Sequence, residues 1–71
     1  MTVASKPGRL LSPRETEVLS LVSKGFTNLQ IGKMLGVAEC TVAEYMRSVV
    51  IKLEVSNRVE AACRAVREGI I

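Results

Sequence analysis

Helix start and stop signals recur at regular intervals along this chain of 71 residues and constrain its fold more than any other feature. Ser12, Pro13 and Glu15 combine an N-cap residue, a proline suited to the first helical position and the partner of a capping box. Gly25 can take the left-handed conformation that ends a helix. This spacing predicts a first helix that begins after Ser12 and runs to Lys24.

A second helix is predicted directly after the first. Thr27 and Gln30 form another capping box, and Gly36 stops this helix after about two turns. The apolar residues predicted to share one face of it are Ile31, Met34 and Leu35.

Two longer segments complete the pattern. Residues 38–53 carry apolar side chains at helical spacing and are predicted to form the third helix. Asn57 and Glu60 open a fourth helix over residues 57–69, with Gly69 at its end. The sequence therefore predicts an all-α fold, a four-helix (tetrahelical) bundle without strands.

The amino-acid composition excludes several other classes of function. An apolar share of 48% is typical of a globular chain, and a net charge of +3 is compatible with an anionic partner without establishing one. Without His or Asp, the chain lacks the parts of a catalytic triad and of a His-bearing zinc site, so we expect neither an enzyme nor a cofactor. Cys40 and Cys63 are expected to be reduced thiols. Two aromatic residues are too few for a surface that stacks single-stranded bases.

The chain is expected to divide into a flexible leader or linker stub over residues 1–9 and one domain over residues 10–71. The N-terminus has no apolar signal region, and no apolar stretch is long enough to span a membrane. We therefore expect a cytoplasmic protein.

The middle of the chain has the layout of a helix-turn-helix, in which a short helix and a glycine-containing turn precede a longer helix that can enter the DNA major groove. Gly32 lies where two steeply crossing helices would bring their backbones together, and Gly36 permits the turn. The spacing alone is also compatible with a generic helical bundle.

Residues 11–71 resemble the LuxR-type DNA-binding domain of bacterial regulators, which is also named after NarL, FixJ and GerE. The matching residues are Leu11 to Glu15, Glu17 to Leu19, Gly25, Thr27, Asn28, Ile31, Leu35, Thr41, Val42, Lys52, Leu53, Val55, Asn57, Arg58, Glu60, Ala61 and Gly69. The resemblance implies a regulator of transcription that binds double-stranded DNA, with the third helix in the DNA major groove. It also implies a nucleoid-associated location.

The resemblance also implies which residues contact DNA. Base edges would be contacted by Ala43, Glu44 and Arg47. Phosphates would be contacted by Asn28, Lys33, Thr41, Tyr45, Lys52 and Arg58. Such phosphate contacts position a protein on DNA, whereas base contacts specify the sequence.

Several positions depart from the family pattern. Ala43 lies where a basic residue is common, Leu29 where lysine is frequent, Tyr45 where histidine is usual, and Ala38 where a serine usually caps the third helix. The third helix has a net charge of zero. Because non-specific DNA affinity scales with the phosphates neutralised, we expect it to be low. The alternative is an interaction module that pairs with a longer LuxR-type relative and modulates it.

The fourth helix carries more apolar surface than one packed face requires. A homodimer would use the surplus, as the resemblance also implies, with an interface formed by Val59, Ala62, Cys63, Val66 and Ile70. Alternatively, Val59 and Val66 are ordinary exposed aliphatic residues, and Cys63 is a buried structural thiol. RNA polymerase is a further candidate partner.

Overall fold

Four helices account for most of residues 11–71, the part of the chain that the computed structural model describes. They are α1 (Pro13–Ser23), α2 (Asn28–Leu35), α3 (Glu39–Leu53) and α4 (Arg58–Arg67). No strand occurs within this range. The all-α prediction is confirmed, and the predicted leader over residues 1–9 lies outside the described residues.

The predicted N-caps open α1, α2 and α4. The Ser12 hydroxyl accepts the Glu15 backbone N–H at 3.1 Å, and the Glu15 carboxylate accepts the Ser12 N–H at 2.8 Å. Thr27 and Gln30 repeat this arrangement at α2, and the Asn57 side chain caps α4. Relative to the predictions, α1 and α3 are one residue shorter and α4 is three residues shorter. The predicted ranges of α3 and α4 included their capping residues.

Residues at the helix ends explain where the chain turns. Gly25 and Gly69 have φ of 94° and 74°, and the backbone hydrogen bonds around each form a Schellman motif. Glu54 ends α3 with φ of 57°, which makes it the single non-glycine residue of the described range with a positive φ. The sequence predicted a break here, but not this left-handed glutamate.

The core is formed by all four helices, with α3 packed against each of the others. Its buried residues are Val18, Leu19, Ile31, Val42, Met46, Val49, Leu53, Ala61 and Ala65. Met34 was predicted to share the apolar face of α2, but its side chain is 53% exposed. Met34 lines a groove together with α1 residues and Ile71 and does not lie in the core.

The α2 and α3 helices form the predicted helix-turn-helix. A Cβ atom added to Gly32 would lie 2.7 Å from the Val37 carbonyl oxygen, so the backbone of the turn contacts α2 directly. The Val37 N–H donates a hydrogen bond of 2.9 Å to the Gly32 carbonyl oxygen. Glycine at position 32 thereby fixes how closely the start of α3 approaches α2.

Among the described helices, none combines the length and the apolar character that crossing a membrane requires.

Candidate nucleic-acid interface

The outer face of α3 presents the three residues predicted to contact bases. Ala43, Glu44 and Arg47 are all exposed, whereas Val42 and Met46 on the opposite side of the helix are buried. The buried side fixes the rotation of α3 about its axis. The three candidate side chains therefore project away from the domain on a continuous helical surface.

Two further residues lie on this face that the sequence analysis did not select. Cys40 is exposed, and Ile51 is 66% exposed. Together with Glu44 and Arg47 they follow the spacing i, i+4, i+7 and i+11, which places all four on one side of a helix. The spacing was visible in the sequence, but apolar side chains gave no chemical reason to choose them.

The candidate phosphate contacts are spread over three helices. An Arg58 guanidinium nitrogen donates to Asn28 Oδ1 at 2.7 Å, which joins the start of α4 to the start of α2. Lys33 is exposed, and Thr41 is half-buried. Tyr45 is also half-buried and packs against the core. Asn28 and Arg58 are thus brought together as a pair.

Lys52 makes an ion pair that the sequence analysis missed. Its Nζ lies 2.8 Å from Glu15 Oε1, and the Ser48 hydroxyl donates to Glu15 Oε2 at 2.6 Å. Glu15 is only 6% exposed, while the Lys52 side chain keeps 36% of its surface exposed. The pairing joins residues far apart in sequence, so only the packing of α1 on α3 reveals it.

The electrostatic state of Glu15 follows from these partners. Burial by itself raises the pKa of this carboxyl, but hydrogen bonds from Lys52, Ser48 and the Ser12 backbone, with the Lys52 charge, lower it to about 2. Glu15 is therefore ionised near neutral pH. Its negative charge offsets the positive charge of Lys52, the basic residue in the last turn of α3.

An apolar surface remains on α4. Val59 and Val66 are 68% and 59% exposed, Cys63 is exposed and Ala62 is half-buried. We call these four residues the α4 apolar face. Ile70, predicted to belong with them, is half-buried and packs against the core of its own domain. The exposure of Cys63 excludes the alternative of a buried structural thiol.

A groove lies between this face and the corner that joins α1 to α2. Its volume is about 640 Å³. Val22 and Phe26 line one side, and Val59, Ala62 and Cys63 line the other. The exposed apolar surface of α4 therefore continues into a concave surface of the domain.

A comparison with protein families decides the assignment. The family described as "Bacterial regulatory proteins, luxR family" matches residues 9–65 of the chain. The chain belongs to the LuxR family. Membership confirms the resemblance drawn from the capping, glycine and α3 residues. It also confirms the prediction of a DNA-binding domain of the kind found in bacterial transcription regulators, rather than an enzyme.

Individual bacterial regulators are similar to this chain over most of its length. The chain is 48% identical over 56 residues to the transcriptional activator protein CarR of Pectobacterium carotovorum subsp. carotovorum, a match covering 79% of this chain and 23% of CarR. It is 34% identical over 64 residues to the transcriptional regulatory protein DegU of Brevibacillus brevis, covering 90% of this chain and 27% of DegU. The chain thus spans about a quarter of the length of these curated relatives.

A solved structure shares the fold. The transcription factor GerE superposes with a TM-score of 0.81 at 31% sequence identity, covering 86% of this chain and 91% of GerE. The four-helix arrangement described above is therefore the fold of a LuxR-family domain.

Proposed function

We propose that this LuxR-family chain binds double-stranded DNA sequence-specifically as a homodimer, with α3 in the major groove and α4 at the dimer interface. The major groove, about 12 Å wide, admits an α-helix. The chain would then regulate transcription at the bacterial nucleoid in the cytoplasm, and RNA polymerase is a further candidate partner.

The exposed face of α3 is the observation that carries this proposal. Arg47 projects from the middle of the helix, where its guanidinium can donate two hydrogen bonds to a guanine. Glu44 can accept from a cytosine amino group, and the Ala43 methyl can contact a thymine methyl. These three side chains supply different chemistries for reading a short sequence.

The phosphate contacts are proposed at positions that flank α3. Thr41 lies in the first turn of α3 and Lys52 in its last, while Lys33 lies on α2. Tyr45 would reach a phosphate with its hydroxyl. Asn28 and Arg58, which hydrogen-bond to each other, would hold a further phosphate beside the start of α2.

The proposed dimer interface is the α4 apolar face, with Ile70 contributing at its edge. Val59 and Val66 leave more than half of their surfaces uncovered, and they lie two turns apart on one helix. A two-fold axis through α4 would bury both pairs of valines. Two such domains would contact half-sites about one helical turn of DNA apart.

Selection from a random duplex pool tests this proposal. The purified chain is expected to enrich an inverted repeat at low salt. The logarithm of its affinity should fall linearly with the logarithm of the salt concentration, because each phosphate contact releases counterions. Failure of the wild-type chain to enrich any sequence would contradict sequence-specific binding.

The charge of α3 favours a second candidate function. Glu39 and Glu44 balance Arg47 and Lys52, so α3 adds no net positive charge for phosphate attraction. In this alternative the chain binds DNA poorly and pairs through the α4 apolar face with a longer LuxR-type regulator, which it modulates. A chain that dimerises but enriches no DNA sequence would favour this function.

A further inference from the structure

The Glu15 carboxylate is bonded to two successive turns of α3. Oε2 accepts the Ser48 hydroxyl at 2.6 Å, and Oε1 accepts from Lys52 Nζ at 2.8 Å. Oε1 also accepts the Ser12 backbone N–H at 2.8 Å, so the carboxylate is itself held by the N-cap of α1. No buried side-chain polar atom within residues 11–71 lacks a hydrogen-bond partner.

These bonds restrain α3 in two ways. Contacts to Ser48 and Lys52, which are four residues apart, limit both rotation of α3 about its axis and sliding along α1. The same contacts hold the Lys52 ammonium, which keeps further N–H donors and a partly exposed surface. Ser48 follows Arg47 directly, so the restraint acts next to the exposed face of α3.

We propose that Glu15 is a positioning residue for DNA recognition, which fixes the orientation of α3 and the place of the Lys52 ammonium relative to a DNA phosphate. This inference rests on the DNA-binding function proposed above. It makes a buried acidic residue necessary for discrimination between DNA sequences, although its negative charge opposes binding to any duplex.

The opposition between charge and positioning gives a sharp test. Glu15→Gln raises the net charge by one, so electrostatics alone would strengthen binding to every duplex. If Glu15 positions α3, the variant should instead lose affinity for a selected site relative to a random-sequence duplex of the same length. We expect this affinity ratio to fall about tenfold, comparable with one mismatched base pair.

Two further variants complete the experiment. Glu17→Gln makes the same change in charge on the same helix, but Glu17 is exposed and pairs with Arg14. Its affinity ratio is expected to equal that of the wild type. Ser48→Ala removes one bond to Glu15 without changing the charge, and it should lower the ratio in the same direction. This variant also tests the inference if Glu15→Gln does not fold.

The site is selected with the wild-type chain, and both duplexes are then titrated by fluorescence anisotropy with each variant. An unfolded fraction lowers both affinities by the same factor and cancels in the ratio, so a purely structural role leaves the ratio unchanged. If the affinity ratios of Glu15→Gln and Ser48→Ala equal that of Glu17→Gln, the positioning role of Glu15 is overturned, while the proposed DNA-binding function still stands. A wild-type chain that enriches no site would overturn the proposed function, and the inference with it.

Discussion

At the residue scale, two residues determine how α3 is held. Glu15 fixes it from α1 through a buried carboxylate, and Gly32 lets the turn before it approach α2. The capping role of Glu15 was predictable from the local motif. Its bonds to Ser48 and Lys52 were not, because they depend on how α1 packs on α3.

Glu15 should make stability depend on pH. Its pKa is about 2 in the folded chain and near 4.5 in an unfolded one. A pKa lowered by folding adds stability that is present above the unfolded value and lost as the pH falls toward the folded value. The free energy of unfolding of the wild type relative to Glu15→Gln should therefore shrink between about pH 5 and pH 2, by up to about 3 kcal/mol. Urea unfolding followed by circular dichroism measures this.

Glu17→Gln is the control for this pH series, because an exposed ion pair contributes little to stability. If the stability difference between the wild type and Glu15→Gln stays constant from pH 6 to pH 2, folding does not lower the pKa of Glu15.

Gly32→Ala should destabilise the domain. Alanine gains about 1 kcal/mol in helix propensity over glycine, but its Cβ would meet the Val37 carbonyl oxygen at 2.7 Å. The backbone must shift to relieve this contact, and overpacking costs about 1–3 kcal/mol. We expect a lower thermal midpoint. An unchanged or higher midpoint would mean that the turn can move away from α2 freely.

At the scale of helices, local signals predicted where each element begins and ends, because a cap needs only residues close in sequence. Ser12, Thr27 and Asn57 start helices as predicted. Met34 shows the limit of this reasoning. Its spacing placed it on the apolar face of α2, but Met34 is exposed and lines a groove with residues of α1.

The start of α3 is the weakest cap. Ala38 has extended backbone angles suited to an N-cap, but no side chain there accepts a hydrogen bond. Ala38→Ser should supply that acceptor and raise the free energy of unfolding by about 1 kcal/mol. Ala38→Val keeps the extended preference without an acceptor and serves as the control. Equal stability of the two variants in urea unfolding would contradict the assignment.

At the scale of the whole molecule, the domain presents separate surfaces, the outer face of α3 and the α4 apolar face. A homodimer through α4 would leave the face of α3 free for DNA. The sequence could indicate both surfaces from helical spacing, but not how much of each valine remained uncovered. That depends on how α4 packs on the core through Ala61 and Ala65.

Val66→Glu should abolish homodimers without unfolding the domain. Val66 is 59% exposed, so a charge there costs little in the monomer but would be buried in the proposed interface. Ile51→Glu is the matched control, because Ile51 is similarly exposed but lies on α3. Sedimentation equilibrium under reducing conditions should give a monomer for Val66→Glu and a dimer for Ile51→Glu. Equal association of the two variants would exclude the α4 apolar face as the interface.

The most direct measurement compares Arg47→Ala with the wild type on the selected site and on versions of it with each base pair changed. We predict that the variant loses about 1–3 kcal/mol of discrimination at one position of each half-site, because a single side chain reads that base. Lys24→Ala, which removes the same charge from an exposed residue outside α3, should keep the wild-type pattern. If Arg47→Ala and Lys24→Ala weaken binding equally at every position, α3 does not read the DNA sequence through Arg47.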